Sequence, residues 1–137
     1  MSVNTLNPYV HFAGNAAEAI KLYESALGAK VEGLMHWGDM PGGKVPEQDK
    51  TRVMHAALRV NGNLLMVSDS PSVDRGHNVD IALDFGDPAE MSKGFDALAS
   101  GGKVVAPISD MFWGAKFGAL TDCFGVTWML NCAIKKA

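Results

Sequence analysis

Short runs of apolar residues, several of them alternating with polar ones, recur along the chain and predict a structure rich in strands. The predicted strands cover residues 9–12, 30–37, 51–60, 64–68, 79–85 and 103–108, and a final hairpin has arms at 117–121 and 126–130. Apolar residues at helical spacing predict two helices, over 16–27 and from 88 to about 99. The order of strand, helix, strand and hairpin therefore occurs twice.

The two predicted helices begin with similar capping chemistry. Asn15 has Glu18 three residues further on, and Asp87 is followed by Pro88 and Glu90, so each start fits a capping box. The two helix segments also match at one common offset, with the pairs Ala17/Ala89, Glu18/Glu90, Lys21/Lys93, Tyr23/Phe95 and Glu24/Asp96. These matches and the repeated order of elements indicate an internal repeat.

The final hairpin is predicted to have two faces of different character. Asp122 and Gly125 lie between its arms and are typical of a tight turn. Because side chains alternate across a strand, the second arm has one face suited to a core and one mixed face suited to the wall of a cavity. The core face holds Val126, Trp128 and Leu130, and the mixed face holds Thr127, Met129 and Asn131.

Composition narrows the class of protein. With 137 residues, 47% of them hydrophobic, the chain is long enough for one domain with its own core. A net charge of -3 with scattered basic residues argues against nucleic acid as a partner. The two cysteines lack the spacing of a metal site, and both are expected to be reduced. No signal peptide or membrane-spanning run is recognisable, so a cytoplasmic protein is expected.

Three pairs of segments carry a resemblance to a known family. They are residues 7–10 (Asn-Pro-Tyr-Val) before 14–19 (Gly-Asn-Ala-Ala-Glu-Ala), 55–58 (His-Ala-Ala-Leu) before 65–69 (Leu-Met-Val-Ser-Asp), and 113–114 (Trp-Gly) before 122–128 (Asp-Cys-Phe-Gly-Val-Thr-Trp). In their order and spacing the chain resembles the vicinal oxygen chelate superfamily, which includes glyoxalase I, bleomycin-resistance proteins and extradiol dioxygenases. The resemblance is greatest to its PhnB-like branch.

This resemblance implies an α+β fold in a single domain. Two βαβββ modules, at about 5–70 and 78–134, would form a curled mixed sheet around a cavity, and the protein would be a homodimer. The alternative is a single ferredoxin-like sheet, against which the two internal hairpins argue.

The superfamily's chemistry depends on a divalent metal, and the resemblance also indicates where its ligands would stand. The corresponding positions here are Pro8, Met66, Asp80 and Met129. Proline cannot ligate a metal, and thioether sulfur is a poor ligand for hard or borderline divalent ions. One carboxylate does not make a metal site, so no metal and no cofactor are expected. Glyoxalase, dioxygenase and methyltransferase activities are not expected either.

Few residues are candidates for acid–base chemistry. His55 alternates with Val53 and Ala57 and is expected to face the cavity, while His11 is expected on the helix-facing side of its strand as a core histidine. Asp80 would have a raised pKa if it were buried beside the cavity, although a solvated position is favoured. His55 and Asp80 are therefore the weak catalytic candidates.

The functional prediction is a metal-free protein that binds a small planar apolar molecule. Aromatic rings and thioethers suit such a pocket, and the long loop at 38–50, with Trp113, is expected to act as a lid. Two alternatives remain: a metal-independent enzyme, and a structural or regulatory dimer whose cavity is plugged by its own side chains. The predicted ligand-binding residues are Trp37, His55, Met66, Ser68, Asp80, Trp113, Phe117, Thr127 and Met129.

Overall fold

The computed structural model describes residues 2–42 and 44–134, which form two compact units, one ending at Asp74 and one beginning at Arg75. The first unit contains β1 (Tyr9–Phe12), α1 (Ala16–Leu27), β2 (Lys30–His36), β3 (Val53–Val60) and β4 (Asn63–Asp69), with 3-10 turns at Trp37–Asp39 and Glu47–Asp49. The second contains β5 (Ile81–Phe85), α2 (Pro88–Ala99), β6 (Lys103–Met111), β7 (Ala115–Thr121) and β8 (Thr127–Ala133). The predicted strands and helices are confirmed, with differences of a few residues at strand ends.

Each unit folds its own four-stranded mixed sheet with the same topology. The strand order is β1-β4-β3-β2 in the first sheet and β5-β8-β7-β6 in the second. The first strand of each unit runs parallel to the last, and the remaining neighbours are antiparallel. Two βαβββ modules in an α+β fold are thereby confirmed, and a single ferredoxin-like sheet is excluded because the strands form two sheets.

One face of each sheet packs against the helix of its own unit. The buried residues of the two helices are Ala16, Ala19, Ile20 and Tyr23 in α1 and Met91, Gly94, Phe95 and Leu98 in α2. They meet alternate strand residues that are also buried, among them Leu58, Val67, Trp128 and Leu130. The core face predicted for the last strand is confirmed, since Trp128 is only 1% exposed.

The turn between β3 and β4 has the backbone that its sequence predicts. Asn61 and Gly62 have φ angles of 44° and 83°, so both central residues adopt the left-handed conformation. This pattern is typical of a two-residue type I′ hairpin, which asparagine and glycine favour. The turn sets the register in which Val60 pairs with Asn63.

The two helix starts are capped in different ways. Asp87 caps α2 as predicted, because its carboxylate accepts a hydrogen bond from the amide of Ala89 at 3.0 Å. The predicted cap at Asn15 is wrong, since its side chain makes no capping bond. Instead, Oδ1 of Asp69, at the end of β4, accepts hydrogen bonds from the amides of Gly14 and Ala16, each at 2.9 Å.

Candidate functional site

The face of the first sheet opposite α1 carries aromatic, histidine and methionine side chains. On β1, Val10 and the buried Phe12 face the helix, which places Tyr9 and His11 on the opposite face. Tyr9 lies in register with Met66 of β4, so both side chains belong to this face. The helix-facing position predicted for His11 is therefore wrong: His11 is exposed, because the more apolar pair of this short strand takes the buried side.

Tyr9 links two of the four histidines on this open face. Its hydroxyl lies 2.7 Å from Nδ1 of His55, and its ring stacks on His11 with centroids 4.9 Å apart and planes within 1°. Nδ1 of His11 in turn lies 3.0 Å from the hydroxyl of Ser70. When the Tyr9 hydroxyl donates to Nδ1 of neutral His55, the imidazole proton must be on Nε2. Nε2–H is then the hydrogen-bond donor that His55 offers to a ligand.

Ser68 contributes less to this face than the sequence predicts. It is 5% exposed, and its hydroxyl donates to the carbonyl of Met54 at 2.6 Å. Met66 is half-buried beside it and contributes an apolar surface. Ser68 therefore holds β4 and the start of β3 together, while Met66 and His55 are accessible.

The open face of the second sheet carries a separate aromatic cluster. Nε1 of Trp113 donates to Oδ1 of Asn131 at 3.3 Å, and the side-chain Nδ2 of Asn131 donates to Oδ1 of Asp84 at 3.1 Å. Trp113, which is 49% exposed, also packs edge-on against Phe117 with ring centroids 5.7 Å apart. The carboxamide of Asn131 thus fixes an indole ring whose surface remains half accessible.

The remaining ligand residues predicted in the second unit are Met129, Thr127 and Asp80. Met129 is half-buried on β8, in register with Ala82 of β5. Thr127 donates its hydroxyl hydrogen bond to the carbonyl of Val79 at 2.8 Å, so that hydroxyl is already used. Asp80 is exposed and immediately precedes β5.

The residues that the family resemblance places at the metal positions do not fit a hard divalent ion. Pro8 lies directly before β1 and accepts a hydrogen bond at its carbonyl from the amide of Met66, so these two positions are adjacent. In this pair the side chains offer one thioether and no nitrogen or oxygen donor. In the second unit Asp80 and Met129 offer one carboxylate and one thioether. Within residues 2–42 and 44–134, no three His, Cys, Asp or Glu side chains group closely enough to hold a metal.

A cavity of about 250 Å³ lies in the first unit, where the loop after β2 folds against the end of β4. Trp37 forms one wall, and its indole nitrogen is fixed by donating to the carbonyl of Asp69 at 3.0 Å. The other lining residues are Lys44, Val45, Pro46, Asp49, Arg52, Asp69, Ser70 and Pro71. Trp37, one of the predicted ligand residues, thus lies beside part of the loop at 38–50.

Asp69 is the structural centre of this region. It is 2% exposed, and besides the amides of Gly14 and Ala16 it accepts a hydrogen bond from the amide of Val53 at 3.0 Å. Three backbone donors thus surround one buried carboxylate. Sequence reasoning missed this role, although an acidic residue that directly ends an apolar strand was visible in the pattern.

Neither cysteine in the described residues is suited to nucleophilic chemistry. Cys132 is buried in the core, and Cys123 lies exposed in the turn before β8. Partial burial, together with the nearby negative charge of Asp122, raises the pKa of the Cys123 thiol. A raised pKa leaves less thiolate at neutral pH, so Cys123 is a weak nucleophile.

Comparison with known proteins identifies the family. A sequence model of the Glyoxalase/Bleomycin resistance protein/Dioxygenase superfamily matches residues 5–130. The chain belongs to this superfamily, which confirms the resemblance found in the sequence. Its described helices include none that is both long and apolar enough to cross a membrane.

Individual relatives match more than nine-tenths of the chain. Protein YjdN from Escherichia coli K12 is 35% identical over 140 residues, which cover 92% of this chain and 93% of YjdN. The crystal structure of PA1353 from Pseudomonas aeruginosa has 38% identity and a TM-score of 0.86, covering 97% of this chain and 100% of that one. The PhnB protein from Bacillus cereus has 25% identity and a TM-score of 0.78, covering 95% and 100%. The similarity to a PhnB protein confirms the predicted branch.

Proposed function

We propose that this chain is a metal-free small-molecule-binding protein and that its ligand is a small planar molecule held beside Trp37. The observation that carries the proposal is the cavity of about 250 Å³ between Trp37 and the loop that follows β2. Small-molecule sites are concave, mainly apolar and equipped with a few polar groups, and this cavity has that character. The homodimer implied by the family resemblance remains part of the proposal.

The shape of the cavity wall favours a flat ligand. Trp37 presents an indole whose orientation is set by its bond to the carbonyl of Asp69. Val45, Pro46 and Pro71 supply further apolar surface around the same space. A ring stacked on an already oriented indole gains contact area without ordering a flexible side chain.

Other predicted ligand residues lie on two further surfaces, which are the alternative positions for the ligand. His55 and Met66 are accessible on the open face of the first sheet, and Trp113, Phe117 and Met129 lie on that of the second. The half-exposed indole of Trp113 makes the second surface the main competitor of the Trp37 cavity. The two tryptophans can be tested separately, because they belong to different units.

Replacing Trp37 with alanine is expected to weaken ligand binding by about tenfold to a hundredfold, since a lost aromatic contact with its buried area is worth about 1.5–3 kcal/mol. A panel of one-ring quinones, phenols, aromatic acids and amides would first be screened by thermal shift, because a ligand of the native state raises Tm. Calorimetry on each hit then compares the wild type with Trp37→Ala and Trp113→Ala, after circular dichroism has shown that both variants fold.

The pattern of losses distinguishes the sites. Loss of binding in Trp37→Ala with retention in Trp113→Ala supports the cavity as the ligand site. The reverse pattern moves the ligand to the open face of the second sheet and refutes the assignment to Trp37. A panel that produces no thermal shift at all argues against small planar molecules as ligands.

A second candidate function is a metal-independent reaction with acid–base catalysis, and the contact between Tyr9 and His55 favours it. The 2.7 Å separation between the Tyr9 hydroxyl and Nδ1 of His55 is that of a strong hydrogen bond between two groups able to exchange protons. Asp80, the other catalytic candidate, is exposed, and no hydrogen bond or ion pair of its side chain is described.

The wild-type protein at pH 8, where histidine side chains are ordinarily neutral, is expected to hold His55 as the Nε2–H tautomer. Nitrogen-15 NMR distinguishes the two ring nitrogens directly. Tyr9→Phe removes the hydrogen bond and should shift the tautomer balance of His55, while the exposed His77 serves as an internal control. A proton found on Nδ1 of His55 in the wild type would contradict this arrangement.

A further inference from the structure

We infer that the ligand of the Trp37 cavity carries a carboxylate and that Arg52 binds this group. The inference rests on the proposed function, because it names the chemical class of ligand for the same site. It departs from the small planar apolar molecule predicted from the sequence. Four observations support it: the way Arg52 is held, its unused donors, the state of the nearby acids and the size of the cavity.

The guanidinium of Arg52 has close neighbours on two sides. Its Nε lies 3.4 Å from Oδ1 of Asp49, and the whole group lies close to the backbone of Gly14. A Cβ at Gly14 would come within 3.1 Å of Cζ and Nη2 of Arg52, and the φ angle of +107° also favours glycine there. A cation with neighbours on two sides has fewer conformations to lose when it binds an anion than a fully exposed side chain has.

The outer nitrogens of Arg52 remain available. In the described part of the chain, the only acidic partner of Arg52 is Asp49, and neither Nη1 nor Nη2 donates a hydrogen bond. Arginine presents five N–H donors in a planar fork that matches the two oxygens of a carboxylate. Lys44 also lines the cavity, and no ion pair of its ammonium group is described.

The two acidic side chains in the lining, Asp69 and Asp49, differ in how many of their carboxylate oxygens already have partners. Both oxygens of Asp69 accept backbone amides, so its charge is compensated from within the fold. Asp49 pairs with Arg52 through Oδ1 only. Because two cations and two acids share the lining, an added single negative charge is better tolerated than a double one. A carboxylate therefore fits this cavity better than a phosphate dianion.

The volume restricts the rest of the ligand. Drug-sized ligands occupy pockets of about 300–1,000 Å³, and the value of about 250 Å³ lies just below that range. One ring with a small substituent matches this space. A ring on Trp37 with its carboxylate directed to Arg52 uses both the aromatic and the cationic part of the lining.

The test uses pairs of one-ring acids and their neutral amides: benzoate with benzamide, salicylate with salicylamide, and nicotinate with nicotinamide. Calorimetry on the full chain at low ionic strength is expected to give about tenfold to a hundredfold tighter binding of an acid than of its amide, the range for a hydrogen bond to a charged group. Arg52→Gln should abolish this difference. Arg59→Gln is the matched control, because Arg59 pairs with Glu32 away from the cavity lining.

The outcomes separate this inference from the proposed function. If acid and amide bind equally well and both lose binding in Trp37→Ala, the proposed site is supported and the inference of a carboxylate is overturned. Unchanged discrimination in Arg52→Gln also overturns the inference, whereas absence of binding by all six compounds counts against the site itself. If Arg52→Gln does not fold, Lys44→Gln and a titration with NaCl replace it. Acid binding that neither treatment weakens then overturns the inference.

Discussion

Replacing Asp69 with alanine is expected to lower the free energy of unfolding by at least about 3 kcal/mol, because three backbone amides lose their acceptor at about 1–3 kcal/mol each. The side chain is 2% exposed, so water cannot easily replace the lost carboxylate. The three amides belong to the approach to α1, to its first turn and to the start of β3. Since natural domains are stable by about 5–15 kcal/mol, this loss is a large share of the total.

Chemical denaturation followed by circular dichroism measures this effect, and two variants provide the comparison. Asp87→Ala removes the local cap of α2, with its single amide contact, and should cost about 1 kcal/mol. Asn15→Ala should cost less, because this side chain makes no capping bond. If Asn15→Ala destabilises the protein more than Asp69→Ala, the assignment of the cap to Asp69 is refuted.

Trp128→Ala is expected to destabilise the protein by about 3–5 kcal/mol, the usual range for removing a large buried aromatic side chain. Trp128 is 1% exposed, and its indole nitrogen donates to Oδ2 of the buried Asp122 at 2.9 Å. The substitution therefore creates a cavity and also removes a hydrogen bond from a buried carboxylate. Urea denaturation of the variant and the wild type gives the difference.

Trp113 is the matched control for this prediction. It lies in the same unit and also donates through Nε1, but it is 49% exposed and its acceptor Asn131 is not fully buried. Trp113→Ala should therefore cost less than about 1 kcal/mol, as is usual for a substitution outside the core. A result in which Trp113→Ala unfolds the protein and Trp128→Ala leaves it stable would mean that the two faces of the last hairpin are inverted.

The fold was predictable from the sequence because its elements are specified locally. The helical spacing in α1 and α2, the Asn61-Gly62 turn and the alternation around Trp128 each carry their signal within a few residues. The cap of α1 was not predictable in the same way. Asn15 fits the local rule, but the amide of Ala16 is taken by a residue 53 positions away, and only the tertiary fold brings the two together.

The candidate site was predictable only in part, for a similar reason. Trp37 and the loop at 38–50 stood out by their residue types and by the length of the loop. Arg52 did not, because its role depends on the close approach to Gly14 and on Asp49. The pairing of Tyr9 with His55 was also missed, since it joins two strands that are separated in the sheet by β4. Short strands such as β1 also give a weak signal for which face is buried, and His11 was misplaced for that reason.

The different caps of α1 and α2 imply that the two helix starts are secured at different stages of the folding of their own modules. The cap of α2 spans two residues, so it forms as soon as the helix does. The cap of α1 requires a loop of 53 residues to close first, at an entropic cost that grows with loop length. During synthesis, α1 is complete as a sequence long before Asp69 is added to the chain. The start of α1 is therefore without its cap until the chain has grown to Asp69, whereas the start of α2 can be capped as soon as that helix forms.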